Sequence, residues 1–177
     1  MPLFVFAALI MVEIDQLVKS WALNELKDLR TLPIIGDVFH LTYVENRGAA
    51  FSLFSQFDSR WIFVALACVI TVVILVLLQK KVMQTQLGQW SLVLIAAGAV
   101  GNAIDRVIHG FVVDLFDFRL IHFPVFNVAD IFICTGGVLF VLYVMFQHKE
   151  KEEQPPKEAA KLTEEDEQTI SEQAHEE

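Results

Sequence analysis

Hydrophobic residues occur in four long runs that are separated by polar or mixed segments. Residues 3–12 are continuously apolar, and the run continues to Leu23 with charged interruptions. Residues 61–78 carry no charge, and at about 1.5 Å per helical residue they nearly cross the hydrocarbon core of a bilayer. Further runs begin at Trp90 and Ile131. The pattern predicts four transmembrane helices, at about residues 3–23, 61–79, 89–107 and 129–147.

The first run could be a cleaved signal peptide instead of a transmembrane helix, because Ser20-Trp21-Ala22 loosely fits a small-x-small cleavage site. The start of the chain lacks basic residues, however, and Glu13, Asp15 and Lys19 crowd the end of the apolar region. We therefore expect a retained transmembrane helix. Asp15 and Lys19 share one helical face, where they form either an orienting ion pair or two independent interfacial charges.

The segment from residue 24 to residue 60 has a different pattern. Val38–Val44 alternates between two faces and is rich in β-branched and aromatic residues, which predicts a strand. Asn46-Arg47-Gly48 supplies turn chemistry, and the residues that follow, to Phe54, are too apolar for a free loop. We expect a small β-platform outside the membrane, or a segment that lies in the interface.

Composition supports a membrane protein and confines the negative charge to one end. The chain is 55% hydrophobic with a mean hydropathy of +0.51, which is high for a soluble domain. Residues 148–177 hold eleven acidic and four basic side chains, which is −7 of the total net charge of −9. We predict a disordered acidic cytoplasmic tail over these residues, and no nucleic-acid partner, because the chain has no basic patch.

Thiol and metal chemistry have little support in the sequence. Cys68 and Cys134 both fall within apolar runs, where a free cysteine usually behaves as a small buried hydrophobe. His109 and His122 lie among aspartates, but no HExxH motif or close ligand spacing accompanies them. We expect no metal and no cofactor.

The polar residues near the predicted spans converge on one membrane face if both termini lie on the same side. Lysine and arginine occur on both sides of the predicted membrane, so the charge bias gives only a weak lean toward cytoplasmic termini. Nine polar residues share that face: Asp15, Lys19, Asn46, Asn102, Asp105, Arg106, Asp114, Asn127 and Asp130. Ionisable residues at a membrane boundary usually have a partner or a task, so this face is the predicted functional site.

Two aspartates lie near the two ends of residues 112–130, which we interpret as a short aromatic connector. We predict that Asp114 and Asp130 share one proton, because two close negative charges raise the pKa of one carboxyl and leave that of the other low. Asp117 is an alternative member of the pair. The asparagines supply neutral hydrogen bonds, and Arg106 is expected to pair with Asp105. A proton-coupled carrier is the competing function, although four spans without an inverted repeat are few for one.

Five short motifs together make the chain resemble prolipoprotein signal peptidase, the bacterial signal peptidase II. The resemblance covers about Asp15 to Phe146. Its pieces are DQLVK (Asp15–Lys19), ENRGAAFS (Glu45–Ser52), GAVGNAIDR (Gly98–Arg106), VVDLFDF (Val112–Phe118) and FNVAD (Phe126–Asp130). The family usually has two glycines where this chain has Ala97-Gly98, a difference that removes no reactive group.

The resemblance implies a mostly α, polytopic fold of four transmembrane helices with a small extracytoplasmic β-platform and an interfacial helix. It implies an aspartic endopeptidase in which Asp114 and Asp130 are the catalytic pair, and Asp117 is then a supporting residue. It associates further positions with substrate binding or active-site support: Asn46, Gly48, Asn102, Asp105, Arg106, Asn127 and Ala129, with Asp15 and Lys19 in the first motif.

The resemblance also implies the substrate and the location. The substrate is a prolipoprotein whose cysteine already carries diacylglycerol, and the cut falls just before that cysteine. Lateral entry from membrane lipid then explains an active site at the membrane face. We expect a monomer in the bacterial cytoplasmic (inner) membrane, with both termini cytoplasmic and the active site on the extracytoplasmic face.

Overall fold

The computed structural model describes residues 2–48 and 60–153, which are mostly helical. The helices are α1 (Pro2–Trp21), α2 (Lys27–Leu29), α3 (Arg60–Gln79), α4 (Gln86–Ile108) and α5 (Val128–Glu153). A π-helical turn, Ala22–Leu26, joins α1 to α2. The segment after Gly48 that is expected to lie in the interface, and the tail from residue 154, fall outside the described residues.

The chain divides into two compact units, Met1–Phe140 and Val141–Glu177. The first unit contains the described elements up to the first half of α5. The described part of the second unit is the remainder of α5, which runs to Glu153. The helix therefore extends past His148, where the sequence predicts the tail to begin.

Three helices are long and apolar enough to cross a membrane: Arg60–Gln79, Gln86–Ile108 and Val128–Gln147. They correspond to the second, third and fourth predicted spans. In the second of them, α4, 44% of the most apolar stretch is buried, against 11% in α3. Of these three helices, α4 is the one that neighbouring elements cover most completely, so its polar side chains can lie inside the protein.

Helix α1 coincides with the first predicted span, but it carries three charged residues. A fourth membrane crossing of the chain, made by α1, therefore stays a prediction. Its outward surface is apolar: Leu3, Phe6 and Leu9 are each 63% exposed. Its charged residues Asp15 and Lys19 are buried. A helix with an apolar outer surface and charged residues inside the protein is the reverse of a water-soluble helix. A lipid environment favours this distribution.

A three-stranded antiparallel sheet forms the platform, in the order β1-β2-β3. The strands are β1 (Thr31–Ile35), β2 (Phe39–Asn46) and β3 (Val112–Phe118). Strand β2 confirms the strand predicted near residues 38–44. Strand β3 corrects the connector interpretation, because the first part of that stretch pairs with β2, with Val44 opposite Asp114 and His40 opposite Asp117.

The platform is anchored on the π-helical turn that follows α1 through a small apolar core. Ala22, Leu26, Val113 and Leu115 are almost completely buried together. Val113 and Leu115 flank Asp114 in β3, so the packing that holds the sheet also fixes the backbone of that aspartate. Burial of apolar area of this kind contributes roughly 25 cal/mol per Å².

Small residues bring α4 and α5 close together. A Cβ atom placed on Gly98 would collide with the backbone oxygen of Ala129, and one on Gly136 would lie 2.7 Å from the oxygen of Ser91. Close approach of helix backbones in lipid depends on such small residues. The start of α5 is thereby held against the middle of α4.

The prediction of buried cysteines is wrong, since Cys68 and Cys134 are both exposed. Both lie on helices that meet the criteria for a membrane span. The apolar sequence around them reflects a lipid-facing surface rather than a protein interior, because apolar residues face outward in a bilayer.

Candidate active site

Strand β3 holds Asp114 in a buried position, 2% exposed, between Val113 and Leu115. Two amide groups donate to its carboxylate. Asn127 Nδ2 lies 2.6 Å from Oδ1, and Asn46 Nδ2, at the end of β2, lies 3.0 Å from Oδ2. One donor comes from the sheet and the other from the start of α5, so the carboxylate sits where these elements meet.

Asp130 is the third residue of α5 and takes part in capping that helix. Its backbone N–H donates to Asn127 Oδ1 at 3.0 Å, and its Oδ2 accepts the Asn127 backbone N–H at 3.2 Å. This reciprocal pair has the geometry of a capping box, with Asn127 as the N-cap. Asn102 Nδ2, from α4, donates to Asp130 Oδ1 at 2.8 Å. The side chain is therefore fixed from two helices.

Asn127 links the two aspartates. Its side chain is fully buried, its oxygen caps the backbone of Asp130, and its nitrogen donates to Asp114 and, at 3.2 Å, to Asn102 Oδ1. An amide can serve both purposes because it carries an acceptor and two donor hydrogens. The relative position of the two carboxylates thus depends on one side chain.

Burial raises the pKa of Asp114 to about 6. The hydrogen bonds from Asn127 and Asn46 act in the opposite direction, and the negative charge of Asp130 adds to the rise. Loss of hydration disfavours the charged form of a buried carboxyl, and a nearby like charge does the same. Asp114 is thus a carboxyl that can hold a proton within the range in which enzymes commonly use general acids.

Asp117, the alternative member of the pair, lies apart from this arrangement. Thr42 Oγ1 donates to its carboxylate at 2.7 Å and Arg119 Nε at 3.0 Å. Partial burial raises its pKa, but the two hydrogen bonds and the charge of Arg119 outweigh that effect, and the net shift is downward. Of the two aspartates on β3, only Asp114 is hydrogen-bonded to the residue that also holds Asp130.

Lys19 forms the centre of a buried polar cluster next to Asp114 and Asp130. Its ammonium nitrogen lies 2.8 Å from Asp15 Oδ2, 3.2 Å from Asp105 Oδ2 and 2.9 Å from Asn102 Oδ1. Three acceptors match the three donor hydrogens of an ammonium group. The ion-pair interpretation of Asp15 and Lys19 is confirmed, and Asn102 connects the cluster to Asp130.

Gln16 belongs to the same cluster and was not predicted from the sequence. Its Nε2 lies 3.0 Å from Asp105 Oδ1, 3.2 Å from Asp15 Oδ2 and 3.2 Å from the Gly101 carbonyl oxygen. The available signal was an amide beside Asp15 in an otherwise apolar stretch. A polar residue at that position has to find partners inside the protein when lipid surrounds the helix.

The expected pairing of Arg106 with Asp105 is wrong. Within the described residues Asp105 pairs with Lys19, while Arg106 Nη1 lies 3.2 Å from the Asn102 carbonyl oxygen and Cζ lies 4.6 Å from the centre of the Phe63 ring. Consecutive residues on a helix point in different directions, which separates the two side chains.

The two remaining predicted positions, Gly48 and Ala129, also lie at the site. Gly48 donates its N–H to Asn46 Oδ1 at 2.9 Å and has φ of +74°. A Cβ there would lie 2.7 Å from the Phe63 ring, so a larger residue is excluded. Ala129 is fully buried and directly precedes Asp130 in the first turn of α5.

The two histidines considered as metal ligands lie at separate places. His109 caps the C-terminal end of α4 against Phe111, and His122 follows a 3₁₀ turn, Arg119–Ile121. Across residues 2–48 and 60–153, no three His, Cys, Asp or Glu side chains come together in a way suited to a metal ion.

Known structures contain the same fold. A solved structure described as a bacterial membrane enzyme, determined by the in meso method at 2.3 Å resolution, superposes with a TM-score of 0.76 at 26% identity, covering 88% of this chain and 95% of that one. A second, at 1.9 Å resolution, gives 0.74 at 27% identity, covering 81% and 93%. This chain thus has the fold of a membrane enzyme.

The family model described as signal peptidase (SPase) II matches residues 7–146. A lipoprotein signal peptidase of Clostridioides difficile is 48% identical over 144 residues, which is 81% of this chain and 95% of that protein. One from Nostoc punctiforme is 43% identical over 150 residues, 82% and 90% of the two chains. The chain belongs to the signal peptidase II family of membrane proteases, which remove signal peptides from lipoproteins.

Proposed function

We propose that the protein is an aspartic endopeptidase that removes the signal peptide from diacylglyceryl-modified prolipoproteins by cutting just before the lipid-bearing cysteine. Asp114 and Asp130 form the catalytic dyad. The observation that carries this proposal is that one buried amide, Asn127, holds both carboxylates, while the pKa of Asp114 is raised to about 6.

The two aspartates have environments suited to different tasks. Asp114 is desolvated and carries the shared proton. Asp130 lies in the first turn of α5, where the helix dipole favours negative charge, and it accepts hydrogen bonds from Asn102 and the Asn127 backbone. Arg106 adds a positive charge nearby. These contacts suit Asp130 to act as the base of the pair.

The reaction follows from this division. Asp130 removes a proton from a water molecule as that water attacks the scissile carbonyl, and Asp114 donates its hydrogen to the carbonyl oxygen. The C–N bond then breaks as the proton held by Asp130 passes to the leaving amine, and one hydroxyl of the tetrahedral intermediate returns its proton to Asp114. General acid–base catalysis of this kind contributes roughly 10²–10⁴-fold to a rate. Asn46, Gly48, Asn102 and Arg106 surround the pair and are proposed to bind the substrate or to support the site.

The location of the dyad fits a substrate that is held in lipid. Asp114 is on the platform, and Asp130 is at the end of a helix that meets the criteria for a membrane span. Exposed apolar side chains on the platform, Ile34, Ile35, Leu120 and Ile121, suit contact with membrane lipid. We propose lateral entry of the substrate into a monomeric enzyme of the bacterial inner membrane, with an extracytoplasmic active site and cytoplasmic termini.

Cleavage of a purified precursor peptide, with and without diacylglycerol on its cysteine, tests the proposal. The wild-type protein is expected to cut only the lipid-bearing form. Asp114→Asn and Asp130→Asn are each expected to lower kcat by about 10²–10⁴-fold, and each keeps one side-chain oxygen for the local hydrogen bonds.

Two results would contradict the proposal. Normal turnover by either variant would exclude the dyad, and equal cleavage of the lipid-free peptide would exclude the substrate class. EDTA is expected to leave the rate unchanged, so strong inhibition by the chelator would point to a metal-dependent reaction instead. Retained thermal unfolding transitions in detergent are the control for folding of both variants.

A further inference from the structure

Two buried carboxylates outside the dyad contact the backbone at equivalent points. Asp15 Oδ1 accepts the N–H of Ala129 at 2.8 Å, and Asp105 Oδ2 accepts the N–H of Val113 at 3.0 Å. Ala129 is the residue directly before Asp130, and Val113 is the residue directly before Asp114. The residue before each dyad member thus donates its backbone N–H to a carboxylate on a different element.

These two contacts reach across the fold. Asp15 is on α1 and holds the start of α5, while Asp105 is on α4 and holds β3. At the start of α5 the Ala129 N–H is one of the donors that the helix itself cannot satisfy. Asp15 satisfies it and also places a negative charge at the favourable end of the helix dipole.

Lys19 makes the burial of both carboxylates possible. Asp15, Asp105 and Lys19 are each 1% exposed, and an unpaired buried charge is strongly destabilising. The single ammonium group bonds to both carboxylates and so fixes one relative to the other. Space for this arrangement comes from Gly101, where a Cβ would lie 2.5 Å from Asp15 Oδ2.

We propose that Asp15 and Asp105 are positioning residues that set the separation of the dyad, and that Lys19 is the counter-ion that allows both to be buried. The role rests on the proposed function, since it concerns the geometry of the same two aspartates. Neither residue touches the reacting atoms. Each acts through the peptide group before a dyad member, and a displacement of about 1 Å in such a group can cost about 10²-fold in rate.

The alternative is that the cluster only holds α1 against α4. The two roles differ in what they require. Holding helices together requires a well-packed, neutral interior, which apolar residues of similar size also provide. Positioning requires an oxygen opposite each of the two backbone N–H groups. Variants that share the same charge and differ in whether a side-chain oxygen faces each N–H group therefore distinguish the two roles.

Three charge-matched triple variants form the test, and all contain Lys19→Met. The reference variant is Lys19→Met/Asp15→Asn/Asp105→Asn, which keeps an amide oxygen for each N–H. The second, Lys19→Met/Asp15→Asn/Asp105→Leu, removes the acceptor for Val113. The third, Lys19→Met/Asp15→Leu/Asp105→Asn, removes the acceptor for Ala129. kcat and KM for the lipid-bearing precursor are measured per folded enzyme in detergent, with the unfolding midpoint recorded for each variant.

A neutral oxygen bonds more weakly than a carboxylate, so the reference variant is expected to keep kcat within about tenfold of wild type, a loss of up to about 1.4 kcal/mol. Each leucine variant is expected to fall about 10²-fold below the reference in kcat, with KM unchanged. Equal kcat in all three variants, with differences in unfolding midpoint only, would overturn the positioning role.

The reference variant decides the outcome if a leucine variant fails to fold. A kcat more than about 10²-fold below wild type, or a failure of the reference itself to fold, would show that the charges do more than neutralise each other and would overturn the proposal. Failure of the proposed function is a separate result: it appears as absent cleavage by the wild-type protein, or as normal turnover by Asp114→Asn.

Discussion

The two halves of strand β3 provide different environments for the same side chain. In the inner half, Val112 to Leu115 are all buried, whereas exposure rises through the outer half toward Phe118. Each half carries one aspartate, and each aspartate accepts two side-chain hydrogen bonds. The pKa of Asp114 nevertheless rises to about 6, while that of Asp117 falls below its ordinary value.

Desolvation and the charge of the donors account for the difference, since the number of hydrogen bonds is the same. Asp114 receives its bonds from two neutral amides in a site closed to solvent, and Asp130 adds a like charge. Asp117 receives one bond from the Arg119 guanidinium, whose side chain is 43% exposed. One strand thus carries an aspartate with a raised pKa in its buried half and an aspartate with a lowered pKa in its outer half.

The largest expected contrast is in catalysis. Asp114→Asn is expected to lower kcat for the lipid-bearing precursor by about 10²–10⁴-fold, because it removes a general acid. Asp117→Asn, the matched change three residues away, is expected to stay within about threefold of wild type, since surface substitutions usually have small effects. Steady-state cleavage rates of the two variants measure the contrast, and a severe loss in Asp117→Asn would make Asp117 the reactive member.

The free energy of unfolding is expected to differ less between the two variants, and in the opposite direction: Asp114→Asn, the less active variant, is the more stable one. Between the ordinary pKa of 3.8 and about 6, native Asp114 binds more protons than the unfolded chain does. The free energy of unfolding therefore falls as pH rises through that window, by on the order of 2–3 kcal/mol, and stays reduced at higher pH. Asp114→Asn removes this cost and is expected to be more stable than wild type at pH 8.

Asp117→Asn should do the reverse, because a lowered pKa means that ionisation of Asp117 stabilises the fold above its ordinary pKa. The loss is expected to be at most about 1 kcal/mol, as for other exposed ion pairs. Denaturant unfolding in detergent at pH 5 and pH 8 measures both variants. A destabilised Asp114→Asn at pH 8 would show that ionised Asp114 is well accommodated in the native state.

The smallest expected effect is a displacement of the alkaline limb of the pH–rate profile. Activity that needs protonated Asp114 falls as pH rises through its pKa. Asn46→Ala removes a hydrogen bond that lowers this pKa, so the limb is expected to move to higher pH. Thr42→Val removes the corresponding bond to Asp117 and is expected to leave the limb in place.

Profiles of kcat/KM against pH for the two variants and wild type make this measurement. Equal shifts in both variants would mean that the limb reports a general change in the sheet. A shift to lower pH in Asn46→Ala would mean that Asn46 stabilises the protonated form of Asp114 instead.

The helices and the converging polar residues were predictable because lipid imposes a simple rule on sequence. Residues 61–78 have no charge, so the helix there is evident from composition alone. Polar residues such as Asn102 in an apolar stretch are costly unless they meet partners. The predicted site residues do meet, since Asn102 bonds to Lys19, Asn127 and Asp130.

Strand β3 was missed because its sequence lacks the usual alternation. Val112 to Leu115 are buried on both faces, so polar and apolar residues do not take turns there. The strand is defined by its pairing with β2 and by the core around Leu26 and Val113, which no local pattern encodes. The partner of Asp105 was missed for a similar reason, since Lys19 is distant in sequence and Arg106 is adjacent.

The single side chain of Asn127 also defines the smallest unit that could be transplanted to another scaffold. A designer who copied only two carboxylates would leave a strand and a helix free to drift independently. Copying the strand segment around Asp114, the cap residue and the first turn of α5 together would carry the spacing with it. The proposed dyad is thus a module of three parts, and the precision of its spacing depends on Asn127 rather than on the two aspartates.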